Sequence, residues 1–138
     1  TLRPDASDPV ALGKYLVNVA SCYDCHTPMV KGRYDHSRPM AGGNEYLLID
    51  GSKVRSANIS PHKGSGIGGW SEEMFVKRFK MYADSSFVPA EVSPGDFNTE
   101  MPWNEYARMS EEEIRAIWAY LQTVEPIDNK VERFTPAP

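Results

Sequence analysis

Two cysteines and a histidine lie close together near the N-terminus. Cys22, Cys25 and His26 form the pattern Cys-x-x-Cys-His within Ser-Cys-Tyr-Asp-Cys-His-Thr-Pro, residues 21–28. Two thiols at this spacing on one helical turn can each add across a vinyl group of a porphyrin, while the adjacent imidazole ligates the iron. The spacing is the attachment signature of a c-type haem. The motif therefore predicts one haem c, bound covalently through Cys22 and Cys25, with His26 as an iron ligand.

Two other uses of a Cys-x-x-Cys pair fit the sequence less well. A thioredoxin-like redox motif needs a preceding strand and a βαβ context, and the flanking residues predict neither. A structural zinc site needs four cysteine or histidine ligands in two pairs. The chain has two cysteines and three histidines, and His36 and His62 stand alone in polar segments. Haem attachment is thus the favoured interpretation, and it leaves no cysteine for a disulfide.

The second axial ligand of such a haem decides between electron transfer and chemistry on a bound molecule. The six methionines of the chain are the first candidates. Met29 is too near His26 in sequence to reach the opposite face of a porphyrin. Met74 and Met81 lie on a predicted helix, where packing is the usual role of methionine. These three are therefore not expected to bind iron.

Met101 lies in a setting that suits a ligand. It follows a long irregular segment, residues 84–100, and segments of that length inside a compact domain tend to be functional. Pro102 and Trp103 flank it and restrict its backbone. The sequence predicts that Met101 is the distal ligand and that His26 and Met101 together bind the metal. The alternatives are Met40, Met109, His36, His62 or an open site.

Three helices are predicted to position these residues. The first covers about 9–20, with Pro9 at its first position, where a missing N–H costs nothing. The second begins after Ser71, a suitable N-cap, and carries an apolar stripe at helical spacing. Ser110-Glu-Glu-Glu113 is a capping box that begins the third helix, which is predicted to run to about Val124. The fold class is therefore mainly α.

A short β-hairpin is predicted as an insertion in this helical domain. Two β-capable runs, Glu45–Ile49 and Lys53–Ala57, flank Asp50-Gly51, a dipeptide that favours tight turns. The predicted domain organisation is a flexible lead-in over residues 1–8, one haem domain over 9–125 and a C-terminal tail or linker over 126–138.

Length and composition bound the class of protein. At 138 residues and 41% hydrophobic content the chain suits one globular domain. No run approaches the 18 or so apolar residues of a membrane span, and the N-terminus lacks the apolar region of a signal peptide. Covalent haem attachment takes place outside the cytoplasm, so we expect a signal peptide or anchor to have been removed. The net charge of −4 disfavours nucleic acid as a partner.

Several stretches carry a resemblance to a known family. They are residues 57–61 (ANISP), 66–73 (GIGGWSEE), 101–106 (MPWNEY) and 109–121 (MSEEEIRAIWAYL). With Cys-x-x-Cys-His after an N-terminal helix and Met-Pro far downstream, the chain resembles a class I cytochrome c. More closely, it resembles the haem domains in the cytochrome subunits of periplasmic membrane-bound alcohol, aldehyde and gluconate dehydrogenases. The resemblance covers roughly residues 9–124.

The resemblance implies a fold and a set of roles. Helices of the class I cytochrome c fold would surround one haem, and Gly13 would mark the crossing of the first and last helices, with Trp118 or Tyr120. By position in the family pattern, the cofactor-binding residues would be Cys22, Cys25, His26 and Met101, with Asn58 and Trp70 near the haem propionates. Those dehydrogenase subunits commonly carry several haem domains, whereas this chain has one motif.

These features predict an electron carrier, not an enzyme. A single-haem c-type cytochrome with both axial positions filled would pass one electron at a time between redox proteins, such as a dehydrogenase, a quinol-oxidising complex or a terminal oxidase. The expected location is periplasmic or otherwise extracytoplasmic, and membrane association through an anchor or partner is compatible with it. The alternative is a haem enzyme, peroxidase-like or sulfur-oxidising, or a ligand-binding sensor. Either would require an open or displaceable sixth site.

Overall fold

The computed structural model describes residues 2–138 and contains helices and two small antiparallel sheets. Its helices in that range are α1 (Pro9–Val19), α2 (Cys22–His26), α3 (Glu72–Lys80, continued by a 3-10 turn at Met81–Ala83), α4 (Trp103–Tyr106) and α5 (Glu111–Leu121). Its strands are β1 (Met29–Val30), β2 (Arg33–Tyr34), β3 (Glu45–Leu47), β4 (Lys53–Arg55) and β5 (Phe134–Thr135). No helix in residues 2–138 is both long and apolar enough to cross a membrane.

Helices α1 and α5 cross closely and form the centre of the core. A Cβ atom on Gly13 would collide with the carbonyl oxygen of Ala116 and lie 2.8 Å from Cβ of Tyr120. Glycine is therefore required at this position, and the expected crossing at Gly13 is confirmed. The side chains that fill the core around it are almost fully buried, among them Leu12, Leu16, Val17, Ile114, Ile117 and Leu121.

Each of the three longer helices begins at a side-chain cap. Asp8 accepts a hydrogen bond from the N–H of Ala11 at 3.0 Å, ahead of Pro9. Ser71 accepts from the N–H of Met74 at 3.1 Å. The capping box of α5 is complete, because Ser110 Oγ accepts from the N–H of Glu113 at 3.2 Å and the Glu113 carboxylate accepts from the N–H of Ser110 at 2.8 Å. These caps satisfy N–H groups that no helical carbonyl can reach. The helices therefore begin where the sequence predicts them to begin. The helices end slightly earlier than predicted, at Val19 and Leu121.

The predicted hairpin is confirmed, although its strands are shorter than expected. Strands β3 and β4 are antiparallel, with Tyr46 opposite Val54. The second strand ends at Arg55, although backbone hydrogen bonds continue past it: the carbonyl of Ser56 accepts from the N–H of Gly43 at 2.8 Å, and its N–H donates to the carbonyl of Asn44 at 3.0 Å. The small hairpin of β1 and β2 and the short helix α4 are not foreseen by the sequence patterns.

The C-terminal segment, residues 126–138, packs along the domain. Strand β5 pairs with β4, placing Thr135 opposite Lys53 and Phe134 opposite Val54, so that the hairpin becomes a three-stranded sheet. The ring of Phe134 lies 5.5 Å from that of Phe97 in an edge-to-face arrangement. The sequence predicts a tail or linker here, and the structure shows that this segment contacts the domain along much of its length.

Candidate haem site

The residues of the predicted haem motif and the predicted distal ligand open onto one cavity. Its volume is about 460 Å³, and Cys22, Cys25, His26 and Met101 all line it. Apolar side chains from α3 and α5 form much of the wall, including Phe75 and Phe79 on α3 and Ile117 and Leu121 on α5. Concave, mostly apolar cavities of this size are typical of sites for small molecules and cofactors.

His26 is held in one orientation by its backbone neighbour. The imidazole is buried, with 8% of the residue exposed, and its Nδ1 lies 2.8 Å from the carbonyl oxygen of Ala57. Since a carbonyl only accepts, Nδ1 carries the proton and donates, which leaves Nε2 with a free lone pair. Burial lowers the pKa of His26, although the hydrogen bond to Ala57 opposes this effect. A neutral imidazole with a free Nε2 is the form that ligates a metal.

The two thiols lie one turn apart on α2. Cys22 is half-buried and Cys25 is exposed, and both are free. Burial raises the pKa of the Cys22 thiol to about 11, so this thiol is protonated at neutral pH. A redox-active Cys-x-x-Cys pair has the opposite property, because its attacking cysteine has a lowered pKa. The chemistry of Cys22 therefore argues against a thioredoxin-like role.

Met101 is the methionine that shares the cavity with His26. Its N–H donates to Oγ1 of Thr99 at 3.1 Å, and its carbonyl accepts from the N–H of Trp103 at 2.8 Å. These bonds fix the backbone on both sides of the residue. Within residues 2–138, the cavity wall includes none of the other predicted alternatives, namely Met40, Met109, His36 and His62.

Those alternatives have other partners. Met40 is 1% exposed and belongs to the core, and Met109 packs against the same core. Nδ1 of His36 lies 2.6 Å from the hydroxyl of Tyr23. Nδ1 of His62 lies within 3.2 Å of the N–H groups of Gly64 and Ser65.

Asn58 and Trp70, expected near the propionates, both line the cavity but in different ways. Asn58 is 5% exposed, and its side chain is already fully engaged with protein. Its Nδ2 donates to the carbonyl of Ile127 at 2.8 Å, and its Oδ1 accepts from the N–H and the hydroxyl of Ser60. Trp70 is 37% exposed at the rim. The structure thus gives Asn58 a clear role in holding the C-terminal segment.

Three arginines line the same cavity and were missed by the sequence analysis: Arg55, Arg78 and Arg133. Arg78 carries a recognisable signal, because it falls between Phe75 and Phe79 on the apolar stripe of α3, where a charge is unexpected. Arg133 carries no such signal, because it lies in the C-terminal segment that the sequence predicts as a tail or linker. A cavity with apolar walls and several guanidinium groups suits a flat hydrophobic ring that bears carboxylates.

The donor set also fits a covalent haem. Two free thiols on one helical turn, a buried imidazole with Nε2 available and a thioether all open onto one apolar cavity. Imidazole and thioether are the axial ligands of His/Met haem iron. The residues present are therefore those that a c-type haem requires.

Comparison with known proteins agrees with this site. The family model for cytochrome c matches residues 10–125, so the chain belongs to the cytochrome c family. This family consists of haem proteins of electron transfer, and its matched region includes the Cys-x-x-Cys-His motif and Met101.

Several relatives of this chain are named as cytochrome subunits of dehydrogenases. The chain is 34% identical to the fructose dehydrogenase cytochrome subunit of Gluconobacter japonicus over 86% of its own length and 22% of that protein. It is 33% identical to the cytochrome c subunit of the quinone-dependent alcohol dehydrogenase of Gluconobacter oxydans, over 83% of its own length and 21% of that protein. It is 32% identical to the gluconate 2-dehydrogenase cytochrome c subunit of Pantoea cypripedii, over 80% of its own length and 22% of that protein. The chain thus spans about a fifth of the length of these relatives.

Proposed function

We propose that this chain is a single-haem c-type cytochrome that transfers one electron at a time between redox proteins. Cys22 and Cys25 attach the haem, and His26 and Met101 bind its iron. One observation carries the proposal: among the histidines and methionines of residues 2–138, His26 and Met101 alone line the cavity that holds both thiols. A bound haem supplies a one-electron Fe(III)/Fe(II) couple.

The protein's part in this function is to fix both ligands. The Ala57 carbonyl holds the His26 ring through Nδ1, at 2.8 Å, and so keeps Nε2 available. The hydrogen bonds from Met101 N–H to Thr99 and from Trp103 N–H to Met101 hold the loop that carries the thioether. With both axial positions taken, no position remains for a substrate, which suits a carrier and not an enzyme.

The partners are redox proteins outside the cytoplasm. The names of the relatives support a dehydrogenase as electron donor. A quinol-oxidising complex or a terminal oxidase remains suitable as a further partner in the chain of transfer. A location in the periplasm, with membrane association through a partner complex or an anchor, follows from the site of haem attachment.

The experiment that tests the ligand assignment is the absorption spectrum of the ferric haem protein. Methionine-ligated ferric haem has a weak far-red band, so the wild type is expected to show it and Met101→Ala to lose it completely. Met109→Ala is the matched control, because Met109 is half-buried near the same core and does not line the cavity. This control is expected to keep the band.

Two results would contradict the proposal. If Met101→Ala kept the band, another residue would be the distal ligand. If the wild type lacked it and bound carbon monoxide readily, the sixth position would be open, and an enzyme or a sensor would become the better assignment.

A further inference from the structure

The charges around the cavity are unbalanced. Arg55, Arg78 and Arg133 line it, whereas Glu100 is the one carboxylate in its wall within residues 2–138. Arg55 already has a carboxylate partner, because its Nη2 lies 2.8 Å from Oε2 of Glu45, a carboxylate that it shares with Lys53. Two guanidinium groups therefore remain to be explained.

Arg78 is half-buried and has no carboxylate within ion-pair distance in the part of the chain that the structure describes. Its guanidinium lies 4.0 Å from the centre of the Trp103 ring, and its Nη1 donates to the hydroxyl of Tyr82. Stacking on an aromatic ring fixes the plane of the group without cancelling its charge. The cation is thus positioned but not neutralised.

Arg133 is also without a carboxylate partner in residues 2–138. Its Nε donates to the carbonyl of Arg55 at 2.8 Å, and its guanidinium lies 5.9 Å from the centre of the Phe97 ring. Among the residues that the structure describes, no acceptor is bound at its other nitrogens. Arg78 and Arg133 line the same cavity. Partial desolvation lowers the pKa of Arg133, and the charge of Arg78 lowers it further. Arg133 is partly open to water, whereas Arg78 is half-buried. Two like charges that line one apolar cavity repel each other, and a bound anion would offset that repulsion.

Arg133 is held in place by the C-terminal segment. The N–H of Arg55 donates to the carbonyl of Arg133 at 2.8 Å, next to the pairing of β4 with β5. Earlier in the segment, Asn58 binds the carbonyl of Ile127 and Asn129 binds that of Ala41, at 2.8 Å each. The segment lies beyond residue 125, where the family match ends.

We propose that Arg78 and Arg133 bind the haem propionates, so that the C-terminal segment is part of the haem site. This inference rests on the proposed function. A haem carries two propionate carboxylates, which match the two unpaired guanidinium groups in number and sign. These arginines would then contribute positive charge near the iron and favour the ferrous state.

The test is a redox titration of the haem-loaded protein, at one pH and one ionic strength. Arg133→Gln removes the charge and keeps a polar side chain. It is expected to shift the equilibrium about threefold to tenfold towards the ferric form, a fall of about 28 to 59 mV, since tenfold corresponds to 59 mV for one electron. Arg78→Gln is expected to act in the same direction, and the double variant more strongly than either.

Two further variants make the result specific. Arg108→Gln is the charge-matched control, because Arg108 is exposed, does not line the cavity and, within residues 2–138, pairs only with Glu105, at 3.8 Å. It is expected to shift the equilibrium less than twofold. Arg133→Lys keeps the charge, so its redox equilibrium is expected to stay near that of the wild type. If Arg133→Gln fails to fold, Arg78→Gln provides the test of charge removal and Arg133→Lys its charge-conserving counterpart.

The outcomes separate this inference from the proposed function. An Arg133→Gln equilibrium equal to that of Arg108→Gln would overturn the role of Arg133, while the far-red band would still establish methionine ligation. A lysine variant that shifts as far as the glutamine variant would overturn it too, because charge would not be the cause. A wild type without covalent haem would overturn both proposals.

Discussion

The α1–α5 crossing and the three-stranded sheet are held together by different forces. At the crossing, buried aliphatic side chains pack around Gly13, and the two backbones touch. In the sheet, β5 is joined by backbone hydrogen bonds, and the segment before it is held by polar side chains such as Asn58. The first region is a core that stabilises the domain. The second region places the polar C-terminal segment beside the cavity, so its role is to position residues that line the cavity.

The largest expected effect comes from adding one methyl group at the crossing. Gly13→Ala would place Cβ against the Ala116 carbonyl, which is backbone and cannot move aside without separating the helices. We expect a loss of about 3 kcal/mol in the free energy of unfolding, at the upper end for overpacking. Guanidinium denaturation followed by circular dichroism measures it.

Gly69→Ala is the control for this substitution. A Cβ atom there would meet the Lys63 carbonyl oxygen at an ordinary 3.6 Å. The denaturation midpoint of Gly69→Ala should remain near that of the wild type. Equal losses in both variants would contradict the close approach as the cause, because backbone entropy alone favours alanine over glycine.

The second prediction tests the polar region. Asn58→Ala removes the hydrogen bond to the carbonyl of Ile127 and the acceptor of the Ser60 N–H and hydroxyl, although the Ser60 hydroxyl still contacts that carbonyl at 3.3 Å. Buried groups that lose a hydrogen-bond partner cost about 1–3 kcal/mol, so we expect a loss of about 2 kcal/mol. Amide exchange should accelerate selectively in residues 127–135, while α1 and α5 keep their protection.

Asn18→Ala is the matched control, because Asn18 is exposed on α1. It should alter neither the unfolding midpoint nor the exchange of the C-terminal segment. If Asn58→Ala instead accelerated exchange throughout the domain, the two regions would form one cooperative unit, and the contrast drawn above would fail.

The smallest expected effect concerns the cap of α5. The Glu113 carboxylate accepts from the N–H of Ser110 at 2.8 Å and pairs with Arg3 at 2.9 Å. The hydrogen bond from Ser110 and then Arg3 lower the pKa of Glu113 below its usual 4.5. A lowered carboxyl pKa stabilises the fold above the unfolded-state pKa, and this contribution is lost as the pH falls through the folded-state value.

Glu113→Gln should therefore cost about 0.5–1 kcal/mol at pH 7 and almost nothing near pH 3. Urea denaturation at the two pH values checks this. Glu112→Gln, at an exposed neighbouring position without an ion pair in residues 2–138, should show no such pH dependence. A difference between wild type and Glu113→Gln that persisted at pH 3 would contradict the assignment.

What the sequence predicts depends on how local the cause is. The capping box of α5 needs only Ser110 and Glu113, three positions apart, and the structure has it. The hairpin also follows from neighbouring residues, around Asp50-Gly51. Pro102 and the long segment before it are local signals, and they suffice to predict Met101 as a candidate ligand. The structure places it in the cavity with His26, while its role as ligand stays a prediction.

The rest depends on residues that are far apart in the chain. Strand β5 joins β4 across about 80 positions, and nothing near Phe134 or Val54 records that pairing. Arg78 and Arg133 reach one cavity from a helix and from a segment expected to be a tail. Arginine is common on surfaces, so its type alone gives no sign of an inward position. Such features emerge only from the closed fold.

The crossing at Gly13 also has a consequence for how the chain folds. The contact joins Gly13 to Ala116, so the stretch between them, which contains Cys22, His26 and Met101, becomes a closed loop when the helices meet. Loop-closure entropy rises only slowly with length, about 0.6 kcal/mol per doubling, but distant contacts slow the search for the transition state. This domain should fold more slowly than other helical domains of its size. Docking of its first and last helices would bring the segments on either side of the haem site together in a single step.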